Sequence, residues 1–218
     1  MSSDTRIKLC GMFREEDIAA VNAAQPDYVG FVVDFPRSHR SVTAERLAEL
    51  SALVDAGITR VGVFVDEPVE MVAQLFRQGA IDMAQLHGHE DEDYLARLRA
   101  LCNVPCIQAF RVQGPQDIAR AEASSADLVL LDNGQGTGET FDWSLVQEVC
   151  RPFLLAGGLT PQNVTAAIEA VHPWGVDMST GIETNRIKDP DKIKAAVAVA
   201  RGFVGGDETP LTNEGGVQ

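Results

Sequence analysis

The chain has 218 residues, 45% of them hydrophobic and 23% charged, with a formal net charge of −14. It is too long for a small disulfide-stapled scaffold and too apolar for a disordered chain. It is also too acidic for a protein built to coat nucleic acid or an anionic membrane, which needs clustered Lys and Arg. A phosphorylated small substrate is not excluded, because a few local donors hold such a ligand whatever the net charge.

Short apolar runs recur along the chain, separated by segments of helical period. The first run is 7–9, with Asp17 a candidate cap for the helix behind it. The second is 28–33, followed by a predicted helix over 44–56 that Thr43 would cap and that puts Leu47, Leu50, Leu53 and Val54 on one face. Run 61–65 precedes a helix over 69–78 with Val72, Leu75 and Phe76 inward, and run 83–86 precedes one with Tyr94, Leu95, Leu98 and Leu101 inward. The acidic stretch Glu90-Asp91-Glu92-Asp93 reads as a solvated helix N-terminus. Runs 106–110, 128–131, 153–156 and 176–178 complete the set. Gly114-Pro115, Thr160-Pro161 and Asp189-Pro190 each place a cap before a proline at a helix's first position.

Eight strands alternating with helices about every 22 to 25 residues predict a single (β/α)8 barrel over residues 1–204. The runner-up is an open doubly wound sheet, but no GxGxxG follows the first strand, so a dinucleotide site is disfavoured. Residues 205–218, rich in glycine and polar residues, read as a disordered C-terminal tail. There is no apolar run of membrane-spanning length, and the N-terminus lacks the basic start and apolar stretch of a signal peptide. The four cysteines form no CxxC pair and read as buried reduced thiols, with Cys10 set apart by its position. A cytoplasmic enzyme is expected.

In such a barrel the chemistry sits where the strands end. The first strand ends in Cys10-Gly11 and the sixth in Asp132, before a glycine-rich loop with Gly134, Gly136 and Gly138. A thiolate is a competent base and a protonated carboxyl a competent acid. Gly157-Gly158 and Ser179-Thr180-Gly181 follow the last two strands, the usual phosphate cradle of this fold. The second loop carries Arg37 and Arg40, either of which can fork onto a carboxylate. The fourth strand ends in Gln85-Leu86-His87-Gly88, which gives a ligand-facing or a structural histidine. A metal site built on His87 and His89 lacks a partner cluster, so no metal is expected there.

These loops together resemble the phosphoribosylanthranilate isomerase family. The resemblance is carried by Lys8-Leu9-Cys10-Gly11-Met12, Gly30-Phe31-Val32-Val33, Ser38-His39-Arg40, Val61-Gly62-Val63-Phe64-Val65, Gln85-Leu86-His87-Gly88 and Leu131-Asp132. It continues through Gly136-Thr137-Gly138-Glu139-Thr140-Phe141-Asp142-Trp143, the stretch from Ala156-Gly157-Gly158 to Val164, and Val176-Asp177-Met178-Ser179-Thr180-Gly181-Ile182-Glu183. It runs in order from residue 6 to residue 202. It implies an Amadori rearrangement of N-(5-phosphoribosyl)anthranilate to 1-(2-carboxyphenylamino)-1-deoxyribulose 5-phosphate in tryptophan biosynthesis, with no cofactor and no metal. By the same resemblance Asp132 is the acid and Cys10 the base, and Arg40, with Arg37 as its rival, takes the anthranilate carboxylate. His87 and Asp177 line the site, and Gly157, Gly158, Ser179, Thr180 and Gly181 hold the phosphate. The second loop is about one residue longer than is usual in the family, and Met12-Phe13-Arg14 stands where Ile-Thr is common.

Two other functions stay open at this level. One is the histidine-pathway phosphoribosyl isomerase, or a dual-substrate enzyme, which uses two aspartates. The other is a non-catalytic phosphate-binding barrel. The expected partner is a small phosphorylated sugar, with no nucleic acid and no membrane, and both a monomer and a homodimer are compatible with the sequence.

Overall fold

The computed structural model describes residues 5–132 and 143–202. The eight barrel strands are β1 (Arg6–Cys10), β2 (Tyr28–Val33), β3 (Thr59–Phe64), β4 (Met83–Leu86), β5 (Cys106–Arg111), β6 (Leu128–Asp132), β7 (Phe153–Leu155) and β8 (Gly175–Met178). Each coincides with an apolar run. All pair in parallel, and β1 pairs with both β2 and β8, so the sheet closes on itself and the open-sheet alternative falls. The helices are α1 (Glu15–Ala24), α2 (Ala44–Ser51), α3 (Val69–Arg77), α4 (Glu92–Leu101), α5 (Pro115–Ala123), α6 (Val164–Val171) and α7 (Pro190–Ala200). Between β6 and β7 the described part of the connection is one 3-10 turn, Trp143–Val146. No helix among the described residues is long and apolar enough to cross a membrane. The tail 205–218 and the glycine-rich loop after Asp132 lie outside the described residues.

The strand period of two sorts the side chains. Outward residues such as Ile7, Leu9, Val29, Phe31, Val176 and Met178 join the helices in one large apolar shell. Inward residues Val61, Ile107, Leu128, Leu130, Leu154 and Ala156 form a second cluster that plugs the barrel. The same inward phase carries Lys8 and Cys10 on β1, Gln85 and then His87 on β4, Leu130 and then Asp132 on β6, and Asp177 on β8. The chemistry-bearing residues thus lie on the rows that fill the barrel, just above its apolar plug.

Several local expectations need correction. Asp17 is the third residue of α1 and not its cap; its carboxylate reaches back to the Phe13 and Arg14 N–H groups, each at 3.1 Å. Thr160-Pro161 does not open a helix: a turn follows, and α6 starts at Val164. α2 stops at Ser51, which leaves Leu53 exposed, and Leu101 at the end of α4 is exposed as well. Glu90 is buried, because its two oxygens accept the Asp66 and Gly88 N–H groups, each at 2.7 Å. Of the cysteines, Cys10 and Cys106 are buried, but Cys150 is exposed. The caps at Thr43, Gly114 and Asp189 form as expected, and Thr43 and Asp189 accept N–H groups of the first turn.

The closed end of the barrel repeats one device. Asp27 stands just before β2 and accepts the Ile7 N–H of β1 at 2.8 Å. Asp82, before β4, accepts the Arg60 N–H of β3 at 2.8 Å, and Asp127, before β6, accepts the Cys106 N–H of β5 at 2.8 Å. Each aspartate therefore satisfies a backbone donor at the start of the preceding strand and fixes the register of that pair.

Candidate active site

At the opposite end, one cavity is lined by Cys10, Arg40, Gln85, His87, Asp132, Ala156, Gly157, Gly158, Asp177, Ser179, Thr180 and Gly181. The structure thus gathers every site residue singled out in the sequence except Arg37, which is exposed and outside this lining. Cys10 and Asp132 enter from β1 and β6, three strands apart around the barrel. His87 and His89, weighed as a metal pair, diverge: His87 faces Asp132, while His89 is 94% exposed and pairs with Asp66.

Three small networks set the electrostatics. In the first, the fully buried Lys8 ammonium lies 2.9 Å from Asp177 Oδ1. Burial would strip its proton, but Asp177 and Cys10 outweigh that and raise its pKa. Burial likewise pushes the Cys10 thiol up, against the opposing pull of Lys8. In the second, the Gln85 amide meets His87 Nδ1 at 3.0 Å, and His87 Nε2 lies 3.9 Å from Asp132 Oδ2. Desolvation in the recess lowers the His87 pKa and keeps the ring neutral, although Asp132 opposes it. Gln85 Oε1 is buried without a hydrogen-bond partner among the described residues.

The third network sits on the loop after β8. Arg40 forks onto Glu183 at 2.5 and 2.9 Å and touches Thr180 Oγ1 at 3.2 Å. The buried Lys188 ammonium reaches Glu183 at 2.9 Å and the Ser179 carbonyl at 2.9 Å. Burial alone would raise the Glu183 pKa, but Arg40 and Lys188 bring it down to about 2. A two-residue hairpin, Glu183–Thr184 against Ile187–Lys188, carries both charges to this spot.

The two glycine loops meet the cavity side by side. Gly157 and Gly158 have φ of 91° and 66°, a turn that side chains resist. Asn163 holds this loop by accepting the Thr160 N–H at 2.7 Å and donating to the Gly158 carbonyl at 3.0 Å. Gly181 packs so closely on the Leu159 carbonyl that a Cβ there would collide with it. Ser179 Oγ donates to the Cys10 carbonyl at 3.0 Å and ties the loop to β1. Sequence reasoning missed Lys8, Lys188, Glu183 and Gln85 as parts of this site. The signal available was Lys8 at an inward position of a buried strand, two residues before Cys10.

A closed parallel barrel that gathers a thiol, a carboxyl, an imidazole and an arginine at the C-terminal ends of its strands has the architecture of a (β/α)8-barrel enzyme. The family model described as N-(5'-phosphoribosyl)anthranilate (PRA) isomerase matches residues 7–199. The N-(5'-phosphoribosyl)anthranilate isomerase of Chromohalobacter salexigens is 44% identical over 201 residues, 88% of this chain and 92% of the relative. The crystal structure of the phosphoribosyl anthranilate isomerase from Thermotoga maritima superposes with a TM-score of 0.82 at 34% identity, covering 91% of this chain and 99% of that one. A phosphoribosyl anthranilate isomerase in complex with reduced 1-(o-carboxyphenylamino)-1-deoxyribulose 5-phosphate superposes with a TM-score of 0.80 at 33% identity and the same coverage. The chain belongs to the N-(5'-phosphoribosyl)anthranilate isomerase family.

Proposed function

We propose that this mouth performs the family's Amadori rearrangement, with Asp132 as the acid and Cys10 as the base. The observation that carries the reading is the convergence of both groups on one cavity, with Arg40 and the two glycine loops on the same wall. The substrate needs those features in that combination. Its phosphate suits the Gly157-Gly158 turn and the Ser179-Thr180-Gly181 loop, and its anthranilate carboxylate suits a guanidinium, reached through Nη1 of Arg40 or by taking the place of Glu183 on the fork. The position of Arg40 in the lining favours it over Arg37.

The proton accounting is simple. Asp132 gives one proton to the furanose ring oxygen, and the C1–O bond opens to an iminium. Cys10, as thiolate, takes the C2 proton, and the C2–H electron pair moves into the iminium to give an enolamine. Tautomerisation then moves the enol proton to C1 and yields the ketone. One proton has been given and one taken, so the sugar keeps its composition, and the two side chains reset through solvent. His87, whose ring burial keeps neutral and whose Nε2 lies 3.9 Å from Asp132, is placed to steady the Asp132 carboxylate once that proton has left, by donating from Nε2.

The test is direct turnover of freshly generated phosphoribosylanthranilate by the purified chain beside Cys10→Ala and Asp132→Asn. Each variant is expected to lose about 10²-fold or more in kcat, the scale of a missing acid or base. Near-wild-type turnover in both would sink the assignment.

A further inference from the structure

We infer that Lys8 is the positioning residue for the base: its ammonium, buried under Cys10 and anchored by Asp177, holds in place the negative charge the sulfur must carry to accept a proton. The inference rests on the reading of Cys10 as that base.

Three features of the backbone bring the groups together. Lys8 and Cys10 are two residues apart on β1, so both point into the barrel on one row. Lys8 stands opposite Asp177 in the parallel β1–β8 register, which places the carboxylate beside the ammonium at 2.9 Å. Cys10 stands opposite Gly30 in the β1–β2 register. A Cβ at Gly30 would lie 2.8 Å from Cys10 Sγ and 3.1 Å from Lys8 Nζ. The bare glycine therefore leaves a space into which the sulfur and the ammonium converge from adjacent turns of the pleat.

A purely structural role explains this poorly. A buried ion pair gains little over an apolar pair of the same volume, because desolvating both charges offsets their attraction. The buried plug beneath these groups is built from Val, Ile, Leu and Ala. Among the described residues Asp177 is the one carboxylate paired with Lys8, while Lys8 presents three N–H donors, which leaves donors for a sulfur. A cation held 0% exposed beside a thiol that must ionise is a stabiliser of the thiolate.

The other charges around Cys10 do not replace it. Asp177 on β8 opposes ionisation, Lys188 on the hairpin favours it after Lys8, and Arg40, His87 and Asp132 line the same cavity from their own loops and strands. Lys8 is the largest favourable influence on the thiolate. During turnover the thiolate takes the C2 proton and becomes a thiol, while Lys8 stays an ammonium throughout.

The experiment titrates Cys10 by the ultraviolet absorbance of its thiolate, isolated as the difference between a protein and the same protein carrying Cys10→Ala. It is run on the wild-type chain and on Lys8→Met. Because Lys8→Met strands the Asp177 carboxylate, Lys8→Met/Asp177→Asn is run beside it, so that a folded variant lacking the ammonium is available. In both, the Cys10 midpoint is expected to rise by about 1 pH unit or more, the scale of a lost opposite charge at contact distance. In Lys8→Met, kcat at neutral pH should fall about tenfold with KM little changed, and the deficit should narrow as pH rises. A Cys10 midpoint unmoved in both variants overturns the Lys8 inference alone. Full turnover by Cys10→Ala overturns the base assignment, and the catalytic use of Lys8 with it.

Discussion

The two ends of the barrel use charge in opposite ways. At the closed end, Asp27, Asp82 and Asp127 each accept a backbone N–H of the neighbouring strand, and Arg6 and Arg60 add partly exposed ion pairs. Arg151 does the same work for carbonyls, donating to those of Ala121, Ser124 and Ala126. There charge is matched to backbone and holds register. At the mouth, Lys8, Asp177, Arg40, Glu183 and Lys188 are matched to one another, largely out of solvent. Their desolvation buys little stability, but it leaves Lys8, Glu183 and Lys188 with shifted proton affinity around a cavity.

This contrast makes the ends separable by mutation. Among the paired charges at the two ends, the largest effect is expected from Arg40→Met. Loss of a charge-assisted fork to the substrate carboxylate should cost about 10- to 100-fold in kcat/KM, mostly in KM, in the steady-state assay. An unchanged KM would move the carboxylate role to Arg37. At the other end, Asp127→Ala orphans the Cys106 N–H and should destabilise the barrel by about 1–3 kcal/mol, with kcat/KM per folded molecule unchanged. Denaturant titration beside the turnover assay checks both halves, and a kinetic defect would mean that the two ends are not separable. The subtlest expectation concerns Glu183, whose pKa falls from its ordinary 4.5 to about 2 on folding. A depressed carboxylate stabilises above its unfolded value, and that contribution disappears as pH falls from about 4.5 toward 2. Glu183→Gln should therefore be less stable than the parent at pH 5 to 7, and the gap should shrink below pH 4.5. A gap independent of pH would mean that the ion pairs contribute nothing.

The sequence made the barrel legible because buried parallel strands are nearly continuous apolar runs, and all eight could be located. Cys10, Asp132 and the two glycine loops were legible through position at strand ends. What stayed hidden has a common physical cause. Lys188 and Glu183 look like ordinary solvated residues, and Lys8, though inward on a buried strand, has a partner only through three-dimensional pairing across β1 and β8. Thr160-Pro161 carries the signature of a helix start, but Asn163 satisfies the Thr160 N–H and the Gly158 carbonyl in a turn, and this delays the helix to Val164. Leu53 fits the period of α2 but lies beyond its last turn.

The aspartates at the closed end fall before β2, β4 and β6, each tied back to the strand just before it. In this respect the barrel is counted in strand pairs, β1 with β2, β3 with β4, β5 with β6. The seams lie in the stretches after β2 and after β4. A chain opened or lengthened at a seam keeps every such tie within one piece, whereas a break inside a pair parts an aspartate from the strand it holds.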